Sequence, residues 1–398
     1  MQPRSQVRAL LVLVPGLAAL AFFALYEPPE DAGPATGIAR GLVQGCAGLY
    51  LAVCVLLAGR VEVLARVALA GWTTALTAAA IFVLYPEPVE QVSPHGNWRA
   101  EADGHPDRAW ADAYYREFRD SNRMHWQPYV YWRRPAFEGE HIRVDGGGHR
   151  RTYVPAGLPA DAARVFVFGG STVWGTGADD EETIPSWLAR RLESEGMPAE
   201  VVNFGESGFV STQGLIRLLL ELRQGHVPDL VLCYDGVNEV AAAVQSREPG
   251  IPLNESKRRD EFMAGTAPHP PAPEDLDDEE LAARTLELYF ANLRVLRTLA
   301  EEFGFELLCF WQPVAYLHKP LTEYEQEAAA HAALADMTER IYALVGQREA
   351  PPFFVDLQRV FATESEPRYI DFCHLVGTGN RTVADAMLPR VLTALRNR

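Results

Sequence analysis

The sequence predicts an α/β fold with a mostly parallel sheet, preceded by a three-helix membrane anchor. From residue 164 onward, short apolar runs alternate with longer stretches of helical periodicity. The apolar runs show no polar alternation, which is typical of parallel strands buried on both faces. Strands that alternate with helices imply a sheet covered by helices on both sides. The first 85 residues differ, because they hold three long apolar segments without charged side chains.

Length and composition limit the class of protein. With 398 residues, of which 48% are hydrophobic, the chain suits a catalytic domain with additional segments. The formal net charge of −17 argues against a nucleic-acid partner, because such a partner requires a basic surface. The cysteines match neither a disulfide framework nor a zinc-ligand spacing, and most are expected to be small buried hydrophobes: Cys46, Cys54, Cys233, Cys309 and Cys373. For Cys373, which precedes a histidine, the alternative is a reactive thiol.

Residues 1–85 are predicted to form the anchor. Its segments 9–26, 41–59 and 67–85 are each about 18–19 residues long, close to the ~20 that a helix needs to cross a bilayer. The first segment alone resembles a signal peptide, but two further segments favour a three-helix anchor. Arginines before the first segment and between the second and third place the N-terminus inside. The C-terminal region is therefore predicted to be extracytoplasmic. The alternative is a buried helical hairpin of a soluble protein.

Residues 86–160 are predicted to be a linker and accessory segment. Aromatic and small residues recur at helical spacing over 108–119, and 129–134 is similar to an edge strand. One interpretation places Trp132, Arg133, Arg150 or Arg151 at the rim of a pocket for an anionic or sugar ligand. The favoured interpretation is a segment that packs on the domain and connects it to the membrane.

Residues 161–398 are predicted to be the catalytic domain. Between the predicted elements lies an insertion at 245–280, rich in proline, glycine and acidic residues, which is predicted to be either a lid or a disordered acidic loop. The predicted strands are 165–168, 200–203, 230–234, 306–310 and 353–357. The predicted helices are 184–195, 212–223, 281–303, 324–345 and 381–396.

Ser171 follows the first predicted strand of this domain directly after Gly169 and Gly170. Glycines permit a tight turn at the carboxyl end of the strand, which is where open α/β sheets bind ligands. Ser171 is therefore either a nucleophile held beside free backbone amides or the N-cap of the next helix.

Three further strand ends carry residues that acyl transfer requires. The segment 203–208 ends at Gly208, where glycines free backbone amides for an oxyanion site, and Asn238 follows the third strand. Near the C-terminus, Asp371 precedes His374 by three residues and can reach its Nδ1 when the loop turns back, which leaves Nε2 for Ser171. Each residue alone has a structural explanation, but the four sites together predict a serine hydrolase.

These four segments resemble the signature blocks of the SGNH/GDSL hydrolase superfamily over residues 160–398. The resemblance implies a flavodoxin-like three-layer α/β/α sandwich and a serine esterase or acyl-transfer mechanism. It implies that Ser171 is the nucleophile, His374 the general base and Asp371 its orienting group. The oxyanion hole would comprise the amides of Ser171 and Gly208 and the side chain of Asn238. Gly170 and Glu239 depart from the pattern, because the family usually has aspartate at both positions.

The predicted function is a membrane-anchored ester hydrolase for an O-acylated glycan or lipid of the cell envelope. An O-acetyltransferase that uses the same triad on a polysaccharide is the first alternative. A non-catalytic glycan-binding or assembly module is the second. No metal, nucleotide or other cofactor is predicted, because the chain has no glycine-rich phosphate loop with its lysine and its histidines are scattered. No protein partner is predicted. Trp311 and Gln312 are expected either to line the pocket or, for Trp311, to pack on a crossover helix.

Overall fold

The computed structural model describes residues 97–255, 258–259, 276–330 and 332–397. The predicted membrane segments 9–26, 41–59 and 67–85 lie outside these residues, as do Cys46, Cys54 and half of the insertion at 245–280. Within the described part of the chain, no helix combines the length and the apolar character needed to span a bilayer. The anchor and the lid therefore stay predictions.

The accessory segment begins with a 3₁₀ helix, Trp98–Glu101, and helix α1, Arg108–Ser121. Asp107 caps α1 by accepting a hydrogen bond from the Trp110 amide, and the helix buries Ala111, Tyr114 and Tyr115 on one face. The helix predicted at 108–119 is thus present. Two antiparallel hairpins follow, formed by strands β1, His125–Gln127, with β2, Tyr131–Arg133, and by β3, Phe137–Glu138, with β4, Arg143–Val144.

The central sheet has five parallel strands in the order β6-β5-β7-β8-β9. In chain order this is 2-1-3-4-5, the order of flavodoxin-like sheets. The five predicted strands are all present, with ends that differ by one or two residues. They are β5, Ala163–Gly169; β6, Ala199–Asn203; β7, Leu230–Asp235; β8, Glu306–Trp311; and β9, Phe354–Asp356.

Both faces of the sheet are buried, as the apolar runs predict. In β5, Phe166 and Phe168 join the hydrophobic core on one face, and Val165 and Val167 join the core on the other. Because strand side chains alternate between faces, a strand between two helical layers must be apolar throughout. The carboxyl ends of β5, β6 and β7 meet at one edge, and the candidate site lies there.

Helices cover the sheet on both sides. The helices of the domain are α2, Ser171–Trp174; α3, Ile184–Ser194; α4, Ser211–Leu222; α5, Val237–Ser246; α6, Asp278–Phe303; α7, Glu323–Ala328; α8, Ala332–Gln347; and α9, Gly377–Arg396. Helices α4, α5, α6 and α8 contribute to the core on the Phe166 face, and α3 and α9 contribute to the core on the Val165 face.

The helix predicted at 324–345 is instead two helices, α7 and α8, so that prediction was wrong in its continuity. The first turn of α7 contains Glu325, which is buried in an ion pair with Lys319. Its carboxylate also accepts hydrogen bonds from the amides of Arg368 and Tyr369. Helix α8 packs on α6 and α5 instead, through Met337, Ile341 and Tyr342 among others. The two helices pack on different surfaces of the domain, and the helical conformation is interrupted between them.

Candidate active site

Ser171 is the first residue of α2, directly after the end of β5. A Cβ atom on Gly169 would overlap the carbonyl oxygen of Tyr234 on the neighbouring strand, so the turn requires glycine there. At the other end of α2, Gly175 adopts a left-handed conformation with a φ of 96° and terminates the helix after one turn. The short helix is therefore fixed at both ends, and it presents Ser171 at the carboxyl edge of the sheet.

The structure brings Ser171, His374 and Asp371 together in a continuous hydrogen-bonded chain. The Oγ of Ser171 lies 2.6 Å from Nε2 of His374, and Nδ1 of the same ring lies 2.7 Å from Oδ2 of Asp371. Ser171 and His374 are 203 residues apart in the sequence, and the fold alone brings them into contact. The geometry is that of a nucleophile, a base and a carboxylate that fixes the tautomer of the base.

Asp371 is buried, with 1% of its side chain exposed, and its carboxylate is saturated with donors. Oδ1 accepts hydrogen bonds from the amides of Cys373 and His374, at 2.9 and 2.8 Å. Burial alone would raise the pKa of Asp371, but the His374 ring, its hydrogen bond and the Arg99 guanidinium outweigh it and hold the pKa well below its usual range. The carboxylate therefore stays ionised. Because the pKa of Asp371 is lower in the folded protein than in the unfolded chain, its ionised form stabilises the fold above about pH 4. This contribution is lost as the pH falls further.

The expected oxyanion donors lie around the same point. Gly208 adopts a φ of 74°, which an L side chain rarely adopts. Within the described residues, neither the Ser171 amide nor the Gly208 amide donates a hydrogen bond to the protein. The Nδ2 of Asn238 donates to the carbonyl of Phe209 at 2.7 Å, which ties this side chain to the loop that carries Gly208. Two amides and one side-chain amide can thus face a developing negative charge.

The two departures from the family pattern have structural explanations. A Cβ atom on Gly170 would overlap Nδ2 of Asn238, so glycine lets the asparagine pack directly against the serine turn. Glu239 is fully buried and bridges two loops, because Oε1 accepts from the Ser211 amide at 2.6 Å and Oε2 from the Gly236 amide at 3.2 Å. Burial raises the pKa of Glu239, and the hydrogen bonds from these amides oppose that shift.

The loop that ends at Gly208 is held by the accessory segment. The guanidinium of Arg134 is fully buried and pairs with Glu206, with a distance of 3.2 Å from Nε to Oε1. It also donates to the Ser207 hydroxyl at 2.8 Å, and the indole of Trp132 donates to the Ser207 carbonyl at 2.8 Å. Burial raises the pKa of Glu206, and the charge of Arg134 opposes that shift.

The helix of the nucleophile is held by a second buried arginine. Arg150 pairs with Asp180 at 3.0 Å and donates to the carbonyls of Gly175 and Ala178, each at 2.6 Å. The indole of Trp174, in α2, lies between two guanidinium groups, with Arg134 at 3.8 Å and Arg150 at 4.3 Å from the ring centroid. Cation–π contacts of this kind stabilise more when they are desolvated.

The residues expected at a pocket rim have different positions. Arg150 is buried, so its placement at a rim was wrong, and Arg151 is exposed. Arg133 is half-buried beside a small cavity that Arg217 and His149 also line. Trp311 and Gln312 are buried, and Trp311 packs against Tyr289 of α6 and Tyr342 of α8, with ring centroids 4.9 and 5.2 Å apart. The packing interpretation of Trp311 is therefore confirmed.

Cys373 is a buried free thiol beside the triad, with its sulfur 3.5 Å from Nδ1 of His374. Burial raises the pKa of Cys373 well above its usual value, and the charge of Asp371 raises it further. The thiol therefore stays protonated, and the alternative of a reactive thiol is not supported. Its sulfur, Asp371 and His374 lie close enough together for a metal ion, but a protonated thiol is a poor ligand. Cys233 and Cys309 are also buried and free.

Sequence reasoning missed Arg99, Arg134 and Glu206. Arg99 donates to the Asp371 carboxylate although 272 residues separate the two. Nothing in the local pattern around Arg99 indicates this contact. For Glu206 a weak signal exists, because a glutamate at the end of a buried strand, in a glycine-containing turn, requires a partner if it is buried.

Comparison with known proteins gives structural similarities only. No family model matches the chain, and no curated protein matches it. Solved structures similar to this chain include the acetyl xylan esterase AlAXEase, with 20% identity and a TM-score of 0.35, covering 57% of this chain and 99% of that one. A putative arylesterase from Agrobacterium tumefaciens has 18% identity and a TM-score of 0.35, covering 58% and 99%. A putative lipolytic protein of the G-D-S-L family from Desulfitobacterium hafniense has 12% identity and a TM-score of 0.33, covering 57% and 98%. At these values we draw no functional conclusion from them.

Replacing Asn238 by alanine is expected to lower kcat about 10²–10³-fold, because one of three donors to the oxyanion is lost. KM for a small ester should change little, since the oxyanion exists only after attack. Steady-state kinetics on a chromogenic acetyl ester measure both values. Asn397→Ala, exposed at the end of α9, is the matched control. A kcat within threefold of the unaltered protein would show that Asn238 is not part of the hole.

Proposed function

We propose that this chain is a serine ester hydrolase of the SGNH/GDSL type that acts on an O-acylated glycan of the cell envelope. One observation carries the proposal: the hydrogen-bonded chain from Ser171 through His374 to Asp371, with distances of 2.6 and 2.7 Å. The placement of the domain on the outer side of a membrane rests on the predicted anchor at residues 1–85.

The geometry supports a two-step reaction. His374 removes the proton from Ser171 as its Oγ attacks the ester carbonyl, and Asp371 stabilises the resulting imidazolium. The carbonyl oxygen becomes negative beside the amides of Ser171 and Gly208 and the side chain of Asn238. The imidazolium then gives its proton to the leaving alcohol, and an acyl-serine remains. Water, deprotonated by His374, attacks this acyl group and releases the acid and free serine.

An aromatic surface next to the oxyanion loop supports a glycan as substrate. The hairpin of β1 and β2 exposes Trp126 and Tyr129, by 61% and 64%. Trp126 stacks on Tyr131, with ring centroids 5.5 Å apart and planes 25° apart. Its register partner is Trp132, whose indole bonds to the Ser207 carbonyl. Trp126 thus lies beside Trp132, the residue that binds the loop carrying Gly208.

The backbone of this hairpin is fixed in an unusual form. Tyr129 and Tyr131 have φ values of 72° and 74°, which are rare for aromatic residues and are retained at functional sites when the surroundings enforce them. The hairpin is attached to the domain through Val130 and Trp132, which pack with Phe209. Rigid exposed aromatic rings lose little entropy on binding and present flat apolar faces, which suit the apolar face of a sugar ring.

Replacing Trp126 and Tyr129 together by alanine is expected to raise KM for an acetylated oligosaccharide about tenfold, which corresponds to ~1.4 kcal/mol. Kinetic constants for a small chromogenic acetyl ester should stay unchanged, because such an ester does not reach the hairpin. Phe303→Ala, which removes an exposed ring at the end of α6, is the control. If the double variant and the unaltered protein had equal KM values for the oligosaccharide, a glycan at this surface would be contradicted. The same holds if the double variant lost activity only on ester lipids in vesicles.

The second candidate is an O-acetyltransferase with the same acyl-serine, because the same aromatic surface would hold an acceptor sugar. Turnover of a chromogenic acetyl ester with and without added glycan distinguishes the two functions. Faster loss of the acyl group together with an acetylated glycan indicates transfer. Release of free acetate at a rate that the glycan does not change indicates hydrolysis.

A further inference from the structure

The contact between Arg99 and Asp371 joins the first described turn of the chain to the carboxylate of the triad. Nε of Arg99 donates to Oδ2 of Asp371 at 2.7 Å. The same oxygen lies 2.7 Å from Nδ1 of His374. Arg99 therefore does more than neutralise the loop that carries Asp371. It donates to Oδ2, the same oxygen atom that orients the imidazole of His374.

Arg99 is held in place by its own turn. Its amide donates to the side chain of Asn97 at 3.1 Å, and its carbonyl lies 2.9 Å from Nε2 of His105. The guanidinium also lies 5.4 Å from the ring centroid of Trp98. The backbone at this position is thus fixed from both sides. The turn is therefore already ordered, and pairing with the carboxylate restricts the side chain of Arg99 alone.

Arg99 carries a partly buried charge, and its partner Asp371 carries a fully buried one. The Arg99 side chain is 25% exposed, whereas that of Asp371 is 1% exposed. With Arg99 on Oδ2 and two backbone amides on Oδ1, the carboxylate cannot rotate without losing a donor. The positive charge of Arg99 also offsets part of the field that the carboxylate exerts on the imidazolium of His374. Without Arg99, protonation of the ring would be more favourable.

The other titratable groups that face Asp371 carry no charge in the neutral pH range. Tyr115 and Cys373 are buried, and burial raises the pKa of each well above its usual value. Burial and the charge of Asp371 also raise the pKa of Tyr324, whose hydroxyl donates to the carbonyl of Ile370 at 3.0 Å. Among the described residues, Arg99 is therefore the permanently charged cation that pairs with this carboxylate.

We propose that Arg99 is a positioning residue of the active site, which fixes the Asp371 carboxylate that orients His374 and offsets part of its negative charge. The proposal rests on the proposed function as a serine ester hydrolase. It also means that residues 86–160, predicted to be a linker and accessory segment, supply a residue that positions the catalytic machinery.

The test compares Arg99→Gln and Arg99→Lys with Arg108→Gln, which removes a half-exposed arginine of the same segment. For Arg99→Gln we expect a 10- to 100-fold lower kcat and an unchanged KM for a small ester. We also expect the acidic limb of the kcat/KM profile to move about one pH unit higher, because the imidazolium then faces the full carboxylate charge. Arg99→Lys should restore the pH profile but only part of kcat, since lysine cannot reproduce the fixed geometry of the guanidinium.

Titration of Ser171 with a fluorophosphonate gives the active fraction and separates this proposal from the proposed function. If the unaltered protein neither reacts with the probe nor hydrolyses esters, the proposed function fails. If it does both, and Arg99→Gln keeps its kcat per labelled site and its pH profile, Arg99 has only a structural role. A fall in the labelled fraction alone, with unchanged kcat per site, would likewise overturn the proposal.

Discussion

Replacing Ser171 by alanine is expected to reduce ester hydrolysis on the order of 10⁴–10⁶-fold, because the acyl-enzyme can no longer form. The structure supplies the reason, since the Ser171 hydroxyl is the group within 2.6 Å of His374 Nε2 at the carboxyl edge of the sheet. Residual activity over the uncatalysed reaction would come from the oxyanion donors and from substrate binding. Initial rates with a chromogenic acetyl ester measure the loss.

A fluorophosphonate should label the unaltered protein at Ser171 and should leave Ser171→Ala unlabelled. Ser194→Ala is the matched control, because this serine lies exposed at the end of α3. Mass spectrometry of the labelled peptide identifies the modified residue. Label on another serine, or hydrolysis by Ser171→Ala within tenfold of the unaltered protein, would contradict the assignment.

Replacing Asp371 by asparagine is expected to lower kcat about 10⁴-fold while the protein stays folded. The carbonyl oxygen of asparagine can still accept from the amides of Cys373 and His374. Its NH₂ group then faces Nδ1 of His374 and the guanidinium of Arg99, both of which are donors in the present arrangement. The imidazole must change its tautomer to relieve this conflict, and Nε2 can no longer accept the proton of Ser171.

The control for this variant is Asp385→Asn on α9, which removes the same charge from an exposed pair with Arg191. Thermal unfolding shows whether each variant is folded, and kcat is compared only between folded proteins. Activity of Asp371→Asn equal to that of the control would show that the carboxylate does not orient His374.

Much of the fold was predictable because its signals are local. A strand buried on both faces must be apolar throughout. The uninterrupted apolar run Val165–Phe168 therefore differs from the periodic apolar pattern of an amphipathic helix. Helix α1 was predictable from the helical spacing of its aromatic and small residues. The break between α7 and α8 was not, because it depends on the buried pair of Glu325 and Lys319 and on distant amides that bind Glu325.

The candidate site was predictable to the extent that strand ends converge. Parallel strands bring their carboxyl ends to one edge, and Ser171, Gly208 and Asn238 follow three such ends. Their catalytic roles stay predictions until the variants are measured. The buried partners of Arg99, Arg134 and Arg150 were not predictable, because an arginine in a polar segment is ordinary and its partner is defined only by tertiary contacts over tens to hundreds of residues.

Arg99, Arg134 and Arg150 determine how far the chain can be shortened from its N-terminal side. A recombinant fragment that starts at residue 161 would lose the cations that pair with Glu206, Asp180 and Asp371, all of which are buried. Removing one partner of a buried ion pair leaves an uncompensated charge, which costs about 3–5 kcal/mol per pair. Two such losses approach the whole stability of an ordinary domain. A shortened version of the chain for crystallisation or screening should therefore begin before Asn97 and not at the first strand of the sheet.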